Sequence, residues 1–144
     1  MSSLLSAAGF LIMVAAIGCL IATQAIFSPH PLVIAIQVAA LALMLWARFT
    51  LRWRSFHATA QPTAGGLVTS GPYAHIRHPI YTAVCAFVVA AALAHPTWVS
   101  AAAGISVILG ALLRILPEEK LLHAQYPHYA AYAARTRRML PGIF

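Results

Sequence analysis

The sequence predicts an all-α integral membrane protein: a helical bundle of about four transmembrane helices in two hairpins, followed by a cytoplasmic C-terminal helical segment. Three observations carry this expectation. Of 144 residues, 62% are hydrophobic and only 8% charged, where soluble domains carry about 25% charge, and the mean hydropathy is +0.84. Residues 4–27 contain no charged side chain. Two proline-containing breakers, Ser28-Pro29-His30-Pro31 and His95-Pro96, each divide a pair of apolar runs.

Taken in order, the run at 4–27 is long enough to cross a hydrocarbon core of roughly 30 Å. It lacks the basic start of a signal peptide and exceeds the usual apolar length of about 7 to 15 residues, so it reads as a retained helix. A second span at 32–47 follows the first breaker, which leaves only a tight turn between the two. Apolar runs at 80–94 and 98–113 form the second pair, each shorter than the usual 20 or so residues. Ser100 with Gly104, and Ser106 with Gly110, put small residues one turn apart and let helices approach closely in lipid. In the tail, Tyr126, Tyr129 and Tyr132 recur at helical spacing around Pro127, ahead of Arg135-Thr136-Arg137-Arg138. That pattern predicts a surface helix anchored by an aromatic belt and a basic rim. The whole of 1–144 is read as one membrane domain: a hairpin at 1–51, a cytoplasmic loop at 52–78 and a C-terminal half at 79–144.

All nine Lys and Arg residues follow the second or the fourth span. The positive-inside rule therefore puts the 48–78 loop and the tail in the cytoplasm, and an even number of spans puts the N-terminus there too. The sequence pI near 10.3 reflects this basic rim and its anionic lipid head groups, which removes it as evidence for nucleic-acid binding. Cys19 and Cys85 lie inside apolar runs and read as packing residues. The seven histidines show no helix-spaced zinc signature, so no metal is expected.

Two places carry chemistry. Gly71-Pro72-Tyr73-Ala74-His75-Ile76-Arg77-His78-Pro79-Ile80-Tyr81 packs aromatic, imidazole and guanidinium groups directly before an apolar run. The only acids, Glu118 and Glu119, follow the fourth span in Arg114-Ile115-Leu116-Pro117-Glu118-Glu119-Lys120. One reading starts a new helix at Pro117 with acids in its first turn. The other continues the helix through Pro117, which puts Arg114 and Glu118 on one side and offers a ligand opposite charges at the membrane edge. The segment 61–70 is polar and contains Gly65 and Gly66, whose backbone a ligand can approach closely.

Leu67-Val68-Thr69-Ser70-Gly71-Pro72-Tyr73, Arg77-His78-Pro79-Ile80-Tyr81, Arg114 with Glu118-Glu119, the Tyr126 to Tyr132 segment and Arg138-Met139-Leu140-Pro141-Gly142 together resemble the isoprenylcysteine carboxyl methyltransferase family, over about residues 65–144. The resemblance implies a multi-pass membrane methyltransferase that uses S-adenosylmethionine without a Rossmann fold, in a bacterial or archaeal inner membrane, with its site facing the cytoplasm. It places the cofactor contacts on Gly65, Gly66, Leu67, Val68, Tyr73, His78, Pro79, Ile80, Tyr81 and Glu118, and the acceptor-side arginine on Arg114. Gly65 stands where eukaryotic members often have a polar residue, which limits that position to backbone contact. The implied acceptor is a lipophilic carboxylate such as an isoprenylcysteine-like compound, reached laterally from the lipid. With only four spans, a full tunnel for a prenylated acceptor calls for association of chains.

Three other readings are compatible with the residues. Phospholipid N-methyltransferases share similar arginine-histidine-proline and paired-glutamate signatures, and their amine acceptors would draw on His75 or His78 as a base. Sterol-type reductases, which use a nicotinamide cofactor, resemble the same half but are larger bundles. A non-enzymatic scaffold would use the polar cluster only for packing.

Overall fold

The computed structural model describes residues 2–51 and 66–140. Among the described residues five α-helices follow one another, α1 (Ser2–Ala22), α2 (Pro31–Leu51), α3 (Pro79–Ala94), α4 (Trp98–Gln125) and α5 (Tyr129–Arg135), with a 3₁₀ turn at Gly71–Ala74 before α3. The helical membrane bundle is present. Three of the helices, α1, α2 and α4, are long and apolar enough to cross a membrane, and α3 is a shorter apolar helix. At 1.5 Å per residue the 16 residues of α3 reach about 24 Å, short of a full hydrocarbon core.

Chain direction between α1 and α2 is set by a closing turn rather than by the prolines. Gln24 takes a left-handed φ of 55°, its N–H bonds to the Ile21 carbonyl at 3.0 Å, and Ala25 N–H reaches back to Leu20 at 2.8 Å. This is the Schellman pattern, with glutamine in the place glycine usually takes. Gln37 of α2 then donates from Nε2 to the Ile26 carbonyl at 2.8 Å, tying the turn to the next helix. On the same side of the bundle, His95 donates from Nε2 to the Phe27 carbonyl at 2.8 Å, so the two breakers are joined.

The helices joined by the first turn are not each other's main packing partners. α1 packs against α4, α4 against α3, and α3 against α2, so the order in space is α1, α4, α3, α2. α1 is apolar on every side, yet it buries one stripe, Ser6, Gly9, Met13, Ala16 and Leu20, at alternating steps of three and four. The stripe meets α4 backbone to backbone. A Cβ added at Gly9 would stand 2.6 Å from the Gly110 carbonyl oxygen, and one at Gly110 would stand 2.7 Å from the Gly9 oxygen. Gly110 thus serves the close approach its spacing predicts; Gly104 lies looser, with a Cβ 3.3 Å from that of Ala92. Around this seam Met13, Leu20, Val88, Val107 and Ile115 form the core.

α4 starts at Thr97, whose side chain accepts from Ser100 N–H at 3.1 Å. It runs 28 residues, through Pro117. The reading in which Pro117 opens a new helix is therefore corrected: the proline sits inside a continuing one, at the cost of one ladder bond to residue 113.

The tail also departs from expectation. Tyr129 and Tyr132 are buried rather than displayed at a surface, and the chain past α5 lies along the segment before α3. Ile76 and Arg137 form a parallel bridge, with Arg77 N–H to Arg137 O at 2.7 Å, His78 N–H to Arg138 O at 2.9 Å and Arg137 N–H to His75 O at 3.2 Å. Tyr132 Oη donates to the Tyr73 carbonyl at 2.7 Å, and Thr82 Oγ1 donates to the Met139 carbonyl at 2.9 Å. The tail is a strap across the entrance to α3.

Candidate active site

Three elements converge where α3 begins. Arg77 and His78 lead into α3, with Pro79 as its first residue and Tyr81 in its first turn. Across from them, α4 presents Arg114 and, one turn on, Glu118 and Glu119. The strap adds Thr136 and Arg138.

Because consecutive helix residues point about 100° apart, the two glutamates face different neighbours. Glu119 is held from all sides: Arg77 Nε donates to Oε1 at 2.7 Å and Arg138 Nε to Oε2 at 2.9 Å. His78 Nε2 lies 3.4 Å from Oε1. Arg77 is itself tied to the strap, donating from Nη1 to the carbonyls of Thr136 at 2.6 Å and Ala133 at 3.0 Å. A buried carboxylate with this many donors recovers its lost hydration through charge-assisted hydrogen bonds.

Glu118 is more open, 22% exposed against 10% for Glu119. Its Oε1 accepts from Tyr81 Oη at 2.6 Å, and Tyr81 Oη in turn accepts from Arg114 Nε at 2.8 Å. The direct Arg114 Nη2 to Glu118 Oε1 distance is 3.8 Å and the His78 Nδ1 to Glu118 Oε2 distance is 3.6 Å. The tyrosine hydroxyl therefore relays between guanidinium and carboxylate. Arg114 also donates from Nη1 to the Ser6 carbonyl of α1 at 3.1 Å, and its guanidinium carbon lies 5.3 Å from the centre of the Phe10 ring, within cation–π range.

The structure thus brings together four of the residues expected at the site, Arg114, Tyr81, Glu118 and His78, with Pro79 and Ile80 in the same turn of α3. Tyr73 sits in the 3₁₀ turn under the strap, buried, and that burial raises its phenol well above the usual range. Gly66, Leu67 and Val68 lie on the segment leading to that turn. Gly66 has φ +87° and open space where a Cβ would stand, a backbone that a ligand can approach. Gly65 falls outside the described residues. Sequence reasoning quoted Arg77 and Arg138 within its motifs without giving either a site role, and did not name Ser6 or Phe10. Arg77 had a signal in its place directly before His78, whereas Ser6 and Phe10 had none within an uncharged span.

Against known proteins, a family model described as the isoprenylcysteine carboxyl methyltransferase (ICMT) family matches residues 32–124. No curated protein and no solved structure matches the chain. The match begins and ends earlier than the resemblance of the motifs alone. It takes in Tyr81, Arg114, Glu118 and Glu119, and leaves out α1 and the strap. Covering more than half of the sequence, it shows that the chain belongs to the isoprenylcysteine carboxyl methyltransferase family and is a membrane methyltransferase.

Proposed function

We propose that the protein transfers a methyl group from S-adenosylmethionine to the carboxylate of a lipophilic acceptor, such as an isoprenylcysteine-like compound, at the cytoplasmic face of the membrane. The observation that carries this reading is the relay Arg114–Tyr81–Glu118, a cation and an anion 3.8 Å apart at the end of a membrane helix and bridged by one hydroxyl. It offers opposite charges to two different ligands.

The residues fit the cofactor. Glu118, the more open carboxylate, suits an ammonium group, and the space beside Gly66 suits close backbone contact. The holding set is Gly65, Gly66, Leu67, Val68, Tyr73, His78, Pro79, Ile80, Tyr81 and Glu118. When bound, S-adenosylmethionine supplies an electrophilic methyl on a sulfonium.

Arg114 orients the acceptor carboxylate, its planar fork matching two oxygens. A carboxylate is ionised at neutral pH, so no general base is needed and the chain's task is positioning and exclusion of water. His78 has a carboxylate 3.6 Å from one ring nitrogen and another 3.4 Å from the second. That makes it part of the electrostatic frame rather than a base aimed at an amine, which favours the carboxylate over the phospholipid-amine acceptor.

Calorimetric titration of the detergent-purified protein with S-adenosylmethionine, S-adenosylhomocysteine and NADPH tests the reading. Saturable binding of the first two, lost in Glu118→Ala, is expected. Binding of NADPH alone, or of none of the three, would refute it.

A further inference from the structure

We infer that Ser6 of α1 is a specificity-determining residue of the acceptor site, its hydroxyl donating to the carboxylate that Arg114 holds. The inference rests on the carboxylate reading above, and goes beyond the matched family segment, which begins at residue 32.

Ser6 is 0% exposed, and its Oγ has no hydrogen-bond partner among the described residues. A buried helical hydroxyl ordinarily donates back to the carbonyl four residues earlier. Thr50 of α2 and the buried Thr136 just past α5 do so here, to Trp46 and Tyr132. Ser6 does not, although it packs on a helix and its own carbonyl accepts from Arg114 Nη1 at 3.1 Å. An unsatisfied hydroxyl buried in lipid-embedded protein is costly, and its place on the residue whose carbonyl meets the Arg114 guanidinium points to a polar partner that arrives from outside.

A carboxylate bound by Arg114 is such a partner. Its two oxygens offer about four lone-pair sites, more than the two donors of one side of the guanidinium fill, and the hydroxyl of Ser6, the residue whose carbonyl meets Arg114 Nη1, supplies a further donor. Both groups are buried, so the acceptor reaches them by parting the first turns of α1 from α4, beyond the Gly9–Gly110 contact. Leu4 and Leu5 there lie exposed to the apolar surroundings from which a lipophilic acceptor comes.

The test is to titrate cofactor-free wild type, Ser6→Ala and Ser6→Cys with N-acetyl-S-farnesylcysteine and with its neutral methyl ester. Loss of a hydrogen bond to a charged group should raise the Kd of Ser6→Ala for the acid about tenfold, with Ser6→Cys between and the ester unchanged. The melting temperature of Ser6→Ala should be equal or higher, since an unsatisfied group is removed. Equal affinity of wild type and both variants for the acid overturns the role of Ser6 while leaving the carboxylate reading intact. Wild type that binds neither compound overturns both.

Discussion

Tyr81 donates its hydroxyl hydrogen to Glu118 at 2.6 Å, and the same oxygen accepts from Arg114 at 2.8 Å. The phenol therefore holds the cation and the anion of the site at 3.8 Å, an ion pair beyond hydrogen-bond distance. Without it, Arg114 and Glu118, four residues apart on one helix face, would satisfy each other.

Tyr81→Phe tests this spacing role. The guanidinium and carboxylate should close from 3.8 Å to a hydrogen-bonded ion pair, and affinity for S-adenosylmethionine should fall about tenfold, near 1.4 kcal/mol. Calorimetry on the variant gives the number, and unchanged affinity would remove the tyrosine from the site.

The two neighbouring glutamates should separate binding from stability. Glu118→Gln should weaken cofactor binding tenfold or more with little change in melting temperature. Glu119→Gln leaves the partly buried Arg77 without its full counter-charge, and should destabilise by roughly 3 kcal/mol. Thermal unfolding of both variants in detergent, beside cofactor titration, distinguishes them; equal behaviour would contradict the division.

Gly9→Ala sets a Cβ 2.6 Å from the Gly110 carbonyl oxygen and 3.0 Å from Arg114 Cγ. Backbone cannot swing aside, so α1 and α4 must separate, and about 1–3 kcal/mol of stability is lost. Gly18→Ala is the control on the same helix, with nothing within 4 Å of the new atom. The two melting temperatures should diverge.

The strap should release in alkali. Burial, the largest cause, pushes the Tyr132 phenol from 10.0 up to about 12, and burial raises Tyr73 and Tyr129 in the same direction. Above pH 10 the unfolded chain gives up these protons first, so stability is fully present below pH 10 and falls as pH rises towards 12. Melting temperatures between pH 8 and 12 should be flat and then drop, and more gently in Tyr132→Phe. A profile flat to pH 12 would count against the buried hydroxyls.

What could be read from the sequence was whatever depends on neighbours along the chain. The bundle followed from runs of apolar length, and the pairing of Arg114 with Glu118 from their four-residue spacing. Pro117 left two readings open because a local preference for a helix start competes with continuation, and packing of α4 on both sides decides for continuation. The α1–α4 seam was hidden: α1 is apolar on every face, so nothing in its pattern marks the stripe from Ser6 to Leu20 as the buried one. Glu119 was in view as one of the two acids, but its partners were hidden for another reason. Its partner Arg138 arrives by the strap, through backbone bonds whose side chains carry no periodic signal.

The spatial order of the helices sets a sequence of events during membrane insertion. α1 enters the bilayer before α4 has been made, and has no principal helix partner until it has. A polar or charged stripe could not wait in lipid for that long, whereas a helix hydrophobic on all sides can, keeping one small hydroxyl and one glycine for its eventual seam. The uniform greasiness that concealed its partner is what makes α1 a durable lodger in the bilayer until α4 comes to meet it.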